Sequence, residues 1–534
     1  MKSMLKNSKK IIVLLLVICI IGGLVSCKKA TSTSTFVIGT TQSIEKAIYG
    51  EYNYDMLASG VSEMPLVCQN SDGSYAGLLC DYSTTDSQTW VYTVKEGMTW
   101  SDGVAVTADD ILFTLQYEDS QGSANLVDQG TTQKKYESYT VSLDHKNISL
   151  TLVTANVREL ANMTTFRIAP KHVLENNDNP TKEELRITCG PYVLESFDAA
   201  NGTLTYSVNS YYPKKPHIDK IIYQIYANED VMYTALNQGD IDMTWIYNQG
   251  VASSYLDILE SNSQLSVVSV ASTASPAVLA FNNSKGLGSD TNVRRAMAYA
   301  LDYNVFKNTF GSKLASITKK GFVSSSTLGY TETENNSYNL ELADSYMVQA
   351  GYTKESDGYY YKEGTKCCLN LTVNASKAAH IRYAEVVKTQ LEDFGISVNL
   401  NELDSTAYNA CTSNKFSNHN ITMEAAIYGF TSAGMAMGSG LGTIYVDGNH
   451  NVQGGCQVFD SAFQTALSSL SNTKTLADYQ EAAKVIQEYY ASYVPMIALY
   501  QDSNNYVYNA KYRNLNIDLV FGLNNINNWF SIEA

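Results

Sequence analysis

The chain has 534 residues, more than one hydrophobic core supports, so two or three domains are expected. It carries 37 basic and 53 acidic residues, a formal net charge of −16, which argues against nucleic acid or an anionic membrane surface as a partner. Tyrosine is unusually common at 39 residues, and with abundant Ser, Thr and Asn it suits an exported surface or a recognition cleft.

Met1 to Lys10 holds Lys2, Lys6, Lys9 and Lys10 and no acid, and Ile11 to Val25 is a 15-residue run without a charge. A comfortable bilayer span needs about 20 apolar residues, so the pattern predicts an export signal. The run ends in Leu24-Val25-Ser26-Cys27, which resembles a bacterial lipobox. That resemblance implies that residues 1–26 are removed and that Cys27 becomes the lipidated first residue, anchored to the outer face of the cytoplasmic membrane or in the periplasm. An uncleaved anchor with an incidental cysteine is the alternative. Loss of the four lysines moves the formal charge from −16 to −20. Lys28 to Thr35 reads as a polar tether.

Phe36-Val37-Ile38-Gly39 reads as a first strand, and Tyr54 to Cys80 as a helix followed by turns and short strands. From Trp90 to Asp110 the pattern is a strand at Val91 to Val94, a tight turn at Ser101-Asp102-Gly103, and a helix capped by Thr107 with Asp109 and Asp110 in its first turn. Asp109 through Lys182 gives a helix, polar turns, the alternating strand Ile148 to Leu152, and the phrase Pro170-Lys171-His172-Val173-Leu174. Ile218 to Tyr226 reads as a strand. Asn228 then caps a helix with apolar positions Val231, Met232, Ala235 and Leu236, and Gly239 ends it before a strand at Ile241 to Ile246. Such a strand-helix-strand unit implies a parallel sheet covered by helices.

Val278 to Asn283 is a further strand, after which Asp290 caps a helix whose inward stripe is Val293, Ala296, Met297, Ala300 and Leu301. Arg294 and Arg295 in its first turn read as anion binders or, more simply, as arginines solvated or bridged to neighbouring acids. A second parallel unit follows: strand Leu369 to Val373, a helix opened by Ser376 with Ile381, Ala384, Val387, Leu391 and Phe394 inward, a cap at Gly395, and strand Ile396 to Leu400. The last long helix spans Thr475 to Tyr493 with Leu476, Tyr479, Ala483, Ile486 and Tyr490 on one stripe, stopped by Val494-Pro495. Met496 to Tyr500 then starts a return toward the first part of the chain.

The residue order in Trp90 to Asp110, with Gly97, Trp100, Asp102-Gly103 and Asp109-Asp110, closely resembles the signature of the family 5 extracellular solute-binding proteins, the peptide, dipeptide and nickel receptors of ABC importers. Val293-Arg294-Arg295-Ala296-Met297-Ala298-Tyr299-Ala300-Leu301-Asp302 is very close to a second family stretch, and Pro170 to Leu174, Cys189-Gly190-Pro191-Tyr192 and Leu236-Asn237-Gln238-Gly239-Asp240-Ile241-Asp242 are weaker matches in the right order. The resemblance implies a periplasmic-binding-protein-like type II α/β fold. Two α/β lobes would be joined by a hinge, with an additional α+β domain inserted in the first. On that template residues 36–50, 186–270 and 500–534 form lobe I, 51–185 the inserted domain and 271–499 lobe II, with the crossing between lobes near Val267 to Ser275. It further implies a monomer without cofactor that binds an extended solute between the lobes and passes it to a permease and ATPase. Where relatives carry a Leu-Asp-Pro-like step, this chain has Thr40 to Glu45.

No nucleophile elbow or His-Glu-x-x-His stands in the chain, and His145, His172, His217, His380, His419 and His450 are scattered without ligand spacing, so neither catalysis nor metal binding is expected. An exported hydrolase on a similar scaffold is the competing class. Asp109 with Asp110, and Asp240 with Asp242, read as capping or solvated acids. Gly438 to Gly442 lacks the Lys-Ser/Thr of a phosphate loop. After Cys27 the cysteines are Cys68, Cys80, Cys189, Cys367, Cys368, Cys411 and Cys456, an odd set with no C-x-x-C pair; it implies no zinc cluster and leaves one or two disulfides open.

The ligand-binding candidates follow from the resemblance. In the family the strand matching Ala425 to Ser432 lines the cleft, and backbone there bonds an extended ligand. Tyr428, Gly429, Phe430 and Thr431 are therefore the first candidates, Gly429 for close approach and the aromatics for apolar walls; a buried core strand is the other reading. Peptide-binding members commonly place a carboxylate just after the Gly-aromatic pair, whereas this chain reads Thr431-Ser432-Ala433-Gly434. Glu424 or another acid substitutes, or the ligand is a modified peptide, an oligosaccharide or a metal chelate. Trp245, Tyr247, Phe281 and Asn282 occupy matching cleft positions, with core packing as the alternative for each. Met435 and Met437 suit a surface that adapts to varied ligands or a plain flexible loop.

Overall fold

A computed structural model describes residues 34–120, 135–247, 249–271, 277–312, 314–323, 327, 329–413, 420–429, 455–471 and 473–533. Cys27, Phe430, Thr431, Met435 and Met437 lie outside them. Two large mixed sheets organise the chain. The first has seven strands in the order β12-β21-β11-β1-β10-β9-β8: β1 (Thr35–Thr40), β8 (Tyr192–Asp198), β9 (Thr203–Val208), β10 (Lys220–Ile225), β11 (Met243–Thr244), β12 (Leu265–Ala271) and β21 (Ser503–Asn509). The second has five in the order β18-β17-β19-β13-β20: β13 (Ala277–Phe281), β17 (Cys368–Asn374), β18 (Ser397–Leu403), β19 (Ala425–Tyr428) and β20 (Met496–Tyr500). Between β1 and β8 the chain builds a separate antiparallel sheet, β4 (Cys80–Ser83), β5 (Thr89–Val94), β6 (Tyr136–Val141) and β7 (Asn147–Leu152), beside a small pair, β2 (Val67–Gln69) and β3 (Tyr75–Gly77). A three-stranded ribbon, β14 (Thr353–Lys354), β15 (Tyr360–Lys362) and β16 (Thr365–Lys366), decorates the second half.

The expected parallel units are present. β10 and β11 both run parallel to β1, which lies between them, and the helix Glu229–Gln238 joins them. Asn228 accepts from Val231 N–H, and Gly239 closes the helix at φ 83°, where a side chain would be strained. Met232, Ala235 and Leu236 face the core, but Val231 is exposed because it sits one position off the stripe. β17 and β18 are parallel across the helix Ala378–Phe394; its first residue follows Lys377, which makes no side-chain cap, so Ser376 does not open it. Thr475 and Asp478 form a capping box on the helix Leu476–Tyr493, leaving Leu476 exposed outside the stripe. On the helix Ala108–Ser120, Thr107 donates rather than accepts: its N–H and hydroxyl both reach the Asp110 carboxylate, at 2.9 and 3.3 Å.

Arg294 is the largest departure from expectation. It is 0 % exposed and makes no ion pair with an acid among the described residues. Its guanidinium donates to the carbonyls of Gly288, Tyr493 and Val494 and to the Thr291 hydroxyl at 2.7–3.0 Å, and it lies 4.5 Å from the Tyr493 ring centroid. Arg295 donates twice to the Ser492 carbonyl. The pair ties the start of one helix to the end of another, where the last carbonyls lack helical partners. The seven described cysteines downstream of Cys27 are free thiols.

Candidate ligand-binding site

Strand direction locates the surface the two sheets share. β1, β10 and β11 run parallel; β12 runs the same way, since β21 is antiparallel to both β11 and β12. β12 ends at Ala271 and the chain resumes at Ala277 as β13 in the other sheet, so the crossing leaves from the edge where β1, β10 and β11 end. In the second sheet β19 is antiparallel to β13 and parallel to β17, so Tyr428 and the carboxyl ends of β17 and β19 also lie at the crossing end. Carboxyl ends of parallel strands from both sheets thus converge, the usual place for a ligand in open α/β sheets.

On the first sheet this edge carries an aromatic cluster. Trp245 follows β11; its N–H bonds to the Gly39 carbonyl and its indole N–H donates to the Phe521 carbonyl at 2.9 Å. The half-buried Tyr247 ring has Tyr52, Trp245 and Phe521 at centroid distances of 6.3, 6.4 and 6.2 Å. Tyr52 stands at the start of the helix Tyr52–Ala58 and is 63 % exposed. Phe521 is held by a turn around Asp518, whose Oδ1 accepts from Val520 and Phe521 N–H at 2.7 and 2.8 Å. Burial pushes the Asp518 carboxyl up to about 6 despite those bonds. The adjacent Gly522 has φ 63°, and a Cβ there would sit 2.4 Å from the Tyr506 ring. Tyr52 and Phe521 were not among the expected residues. With 39 tyrosines no single one stands out, and Phe521 reaches the site only through tertiary contacts.

The second sheet offers something different. Tyr428 is 2 % exposed, with its hydroxyl donating to the Thr412 carbonyl at 3.1 Å, while Gly429 immediately after it is exposed. β19 therefore brings backbone, not the Tyr428 ring, to the edge. Phe281 and Asn282 stand at the other end of their strand: Phe281 pairs with Ala425, whereas Val278 pairs with Tyr428. Phe281 is sealed in the lobe core, and Asn282 donates to the Met423 carbonyl at 3.1 Å while accepting from Ser284 N–H and hydroxyl. The structure does not bring these two together with Tyr428 and Gly429. Glu424 is committed elsewhere, accepting from Leu287 N–H at 2.8 Å and from both the Asn370 N–H and its side-chain amide. Asp242 accepts from Val37 N–H and pairs with Lys511 at 2.8 Å, a structural role. Among the described residues no group of three or more His, Cys, Asp or Glu is placed to hold a metal, and no helix is long and apolar enough to cross a membrane.

Comparison with known proteins places this architecture. The model for bacterial extracellular solute-binding proteins, family 5, matches residues 75–448. The oligopeptide-binding protein AppA of Bacillus subtilis (strain 168) is 23 % identical over 318 residues, covering 57 % of this chain and 56 % of that one, so the chain spans little more than half of this relative's length. The nickel-binding periplasmic protein of Escherichia coli (strain K12) is 22 % identical over 368 residues, 66 % of this chain and 68 % of that one. The crystal structure of NikA from Brucella suis in complex with Fe(III)-EDTA superposes with a TM-score of 0.76 at 17 % identity, covering 93 % of this chain and 99 % of that one. The shared architecture is the type II periplasmic-binding-protein fold. With a family match across most of its length and that fold, the chain belongs to the bacterial extracellular solute-binding proteins, family 5.

Proposed function

We propose that the chain is the solute-binding receptor of an ABC importer, holding an oligopeptide or peptide-like ligand between its lobes and delivering it to a permease and ATPase. The observation that carries this reading is the convergence of strand ends at the crossing, with the rings of Tyr52 and Tyr247 at the edge of one sheet and, in the other, β19 ending at exposed Gly429 backbone. Rings give apolar walls and backbone gives hydrogen bonds that ignore ligand sequence. Phe430 and Thr431, the next two residues in the sequence, are included among the proposed ligand contacts on the strength of the family resemblance. Ligand binds the closed arrangement better than the open one and shifts that population; no covalent step is needed. We take 36–50, 186–270 and 500–534 as lobe I, 51–185 as the inserted domain and 271–499 as lobe II, in keeping with the sheet to which each strand belongs. The protein acts as a lipid-anchored monomer held through Cys27.

A second reading, the same receptor for a nickel chelate or an oligosaccharide, is favoured by the engagement of Glu424 with Leu287 and Asn370, which leaves that acid committed rather than ready for a free amino terminus. A thermal-shift screen over free peptides, N-acetylated peptides, oligosaccharides and nickel chelates separates the two. Ligand at 100 times its dissociation constant adds about 2.7 kcal/mol. Silence from every peptide with a shift from a chelate or sugar would overturn the peptide reading.

A further inference from the structure

We propose that lobe II carries a second small-molecule site, apart from the cleft, that takes a small monoanion with a flat apolar body: an aromatic carboxylate. A cavity of about 300 Å³ opens between the helix Thr291–Ala300, the segment Lys319 to Phe322, the end of the helix Leu476–Tyr493 and the edge strand β20. It lies away from the lobe crossing. β20 meets β13 with Tyr500 opposite Ala277 at the crossing end, while the cavity wall takes Met496, Ile497 and Ala498, opposite Ala280, Leu279 and Val278, and not Tyr500.

Two features define what fits. Every charged residue among the described lining residues is a cation, Arg295, Lys319 and Lys320, on a protein of net charge −16. The walls between them combine flat rings and apolar side chains with the polar residues Asn336, Ser337 and Ser492. Tyr299 and Tyr346 stack at 5.9 Å and 11°, with Lys320 Nζ 5.3 Å from the Tyr299 centroid and the Arg295 guanidinium 5.7 Å from that of Tyr346, and Met496 closes one side. The carboxylates that face these cations come from outside the wall. Glu332 pairs with Lys319 and Glu334 with Lys320, but the glutamate side chains are 68 % and 82 % exposed while the lysines are 27 % and 20 % exposed. Such exposed pairs are weak, so a carboxylate entering from the cavity displaces them at little cost. Arg295 directs Nε and Nη2 to the Ser492 carbonyl, and its Nη1 has only a 3.5 Å contact with Asn292 Oδ1, leaving a donor in reach of the entering anion. The volume sits at the lower limit for ligand pockets, which selects a single-ring molecule over a peptide.

The test is calorimetric titration of the full chain with benzoate, with benzamide and benzylamine as neutral and cationic isosteres. Benzoate should saturate one site, benzamide should bind at least tenfold more weakly and benzylamine not at all. Lys319→Gln with Lys320→Gln should weaken benzoate at least tenfold, and Ala298→Phe, which fills the cavity, should abolish it, with circular dichroism and melting of both variants checked as native-like. Failure of benzoate to saturate, equal affinity for benzamide, or unchanged benzoate affinity in folded Ala298→Phe would each overturn the proposal. The last outcome would place the benzoate in the cleft instead.

Discussion

The two edges that meet at the lobe crossing are built on opposite plans. The lobe I side sends side chains outward: half-buried Tyr247 stands over an indole and a turn that hold it, and the largely exposed Tyr52, from the start of the inserted domain, packs against it. Among the described residues, lobe II keeps Tyr428 in its core at this edge and presents main chain at Gly429, with Phe281 buried at the far end of the neighbouring strand. One wall therefore offers shape and the other offers hydrogen bonds, so changes in lobe I should alter which ligand binds and changes in lobe II should alter whether the lobe holds together.

Phe281→Ala is the most severe test of that division. Loss of a fully buried ring should cost about 3–5 kcal/mol in denaturant unfolding, and a loss of ligand affinity at intact stability would break the comparison. Asn282→Ala should cost roughly 1–3 kcal/mol, because Ser284 N–H loses its buried acceptor and the Met423 carbonyl its donor. Tyr52→Ala should leave stability within about 0.5 kcal/mol yet weaken the best ligand about tenfold, or about 1.4 kcal/mol, in titration calorimetry.

Acidity sharpens the contrast further. Lobe I and its inserted domain bury Asp55 and Glu63 around Arg167, at 3.4 and 4.0 Å, and burial holds both carboxyls above the usual range, as it holds Asp518 at about 6. These groups bind protons more tightly folded than unfolded, so stability falls as pH rises from the unfolded carboxylate value near 4 through the folded values. His380 in lobe II does the reverse: burial lowers it to about 4, the unfolded chain holds more protons between there and roughly 6.5, and stability rises with pH across that window. Moving from pH 7 to pH 5 should raise the protection factors (exchange rates corrected for the intrinsic pH dependence) around Glu63 and Asp518 and lower them around the helix Ala378–Phe394. Glu63→Gln and His380→Gln should flatten the respective slopes. Parallel responses in both halves would refute the opposition.

Local chemistry made much of this legible. Asn228 and Asp290 cap where their side chains predict, whereas Thr107 does not, and Gly239 and Gly395 close helices in the left-handed region. The errors share a cause. Val231 and Leu476 were grouped with the apolar stripe from periodicity, but each sits just off it and is exposed. Arg294 was taken as solvated or acid-bridged because side-chain carboxylates can be read from a sequence, whereas the carbonyls it binds belong to a helix end some 200 positions away. Tyr52 and Phe521 were missed for the same reason. An aromatic cluster assembled from three distant segments leaves no spacing to find.

The two strands that leave lobe I beside each other enter lobe II beside each other. Ala271 is opposite Ser503 on one side and Ala277 opposite Tyr500 on the other, and the shorter link is only Gln501 and Asp502. Asp502 accepts from Ser312 N–H at 3.1 Å, and Gln501 exchanges backbone hydrogen bonds with Ser316, so that link is clamped to lobe II. Because that link is bonded to Ser312 and Ser316, Gln501 and Asp502 form a ledge of the second sheet's lobe, and β21 begins immediately after it at Ser503.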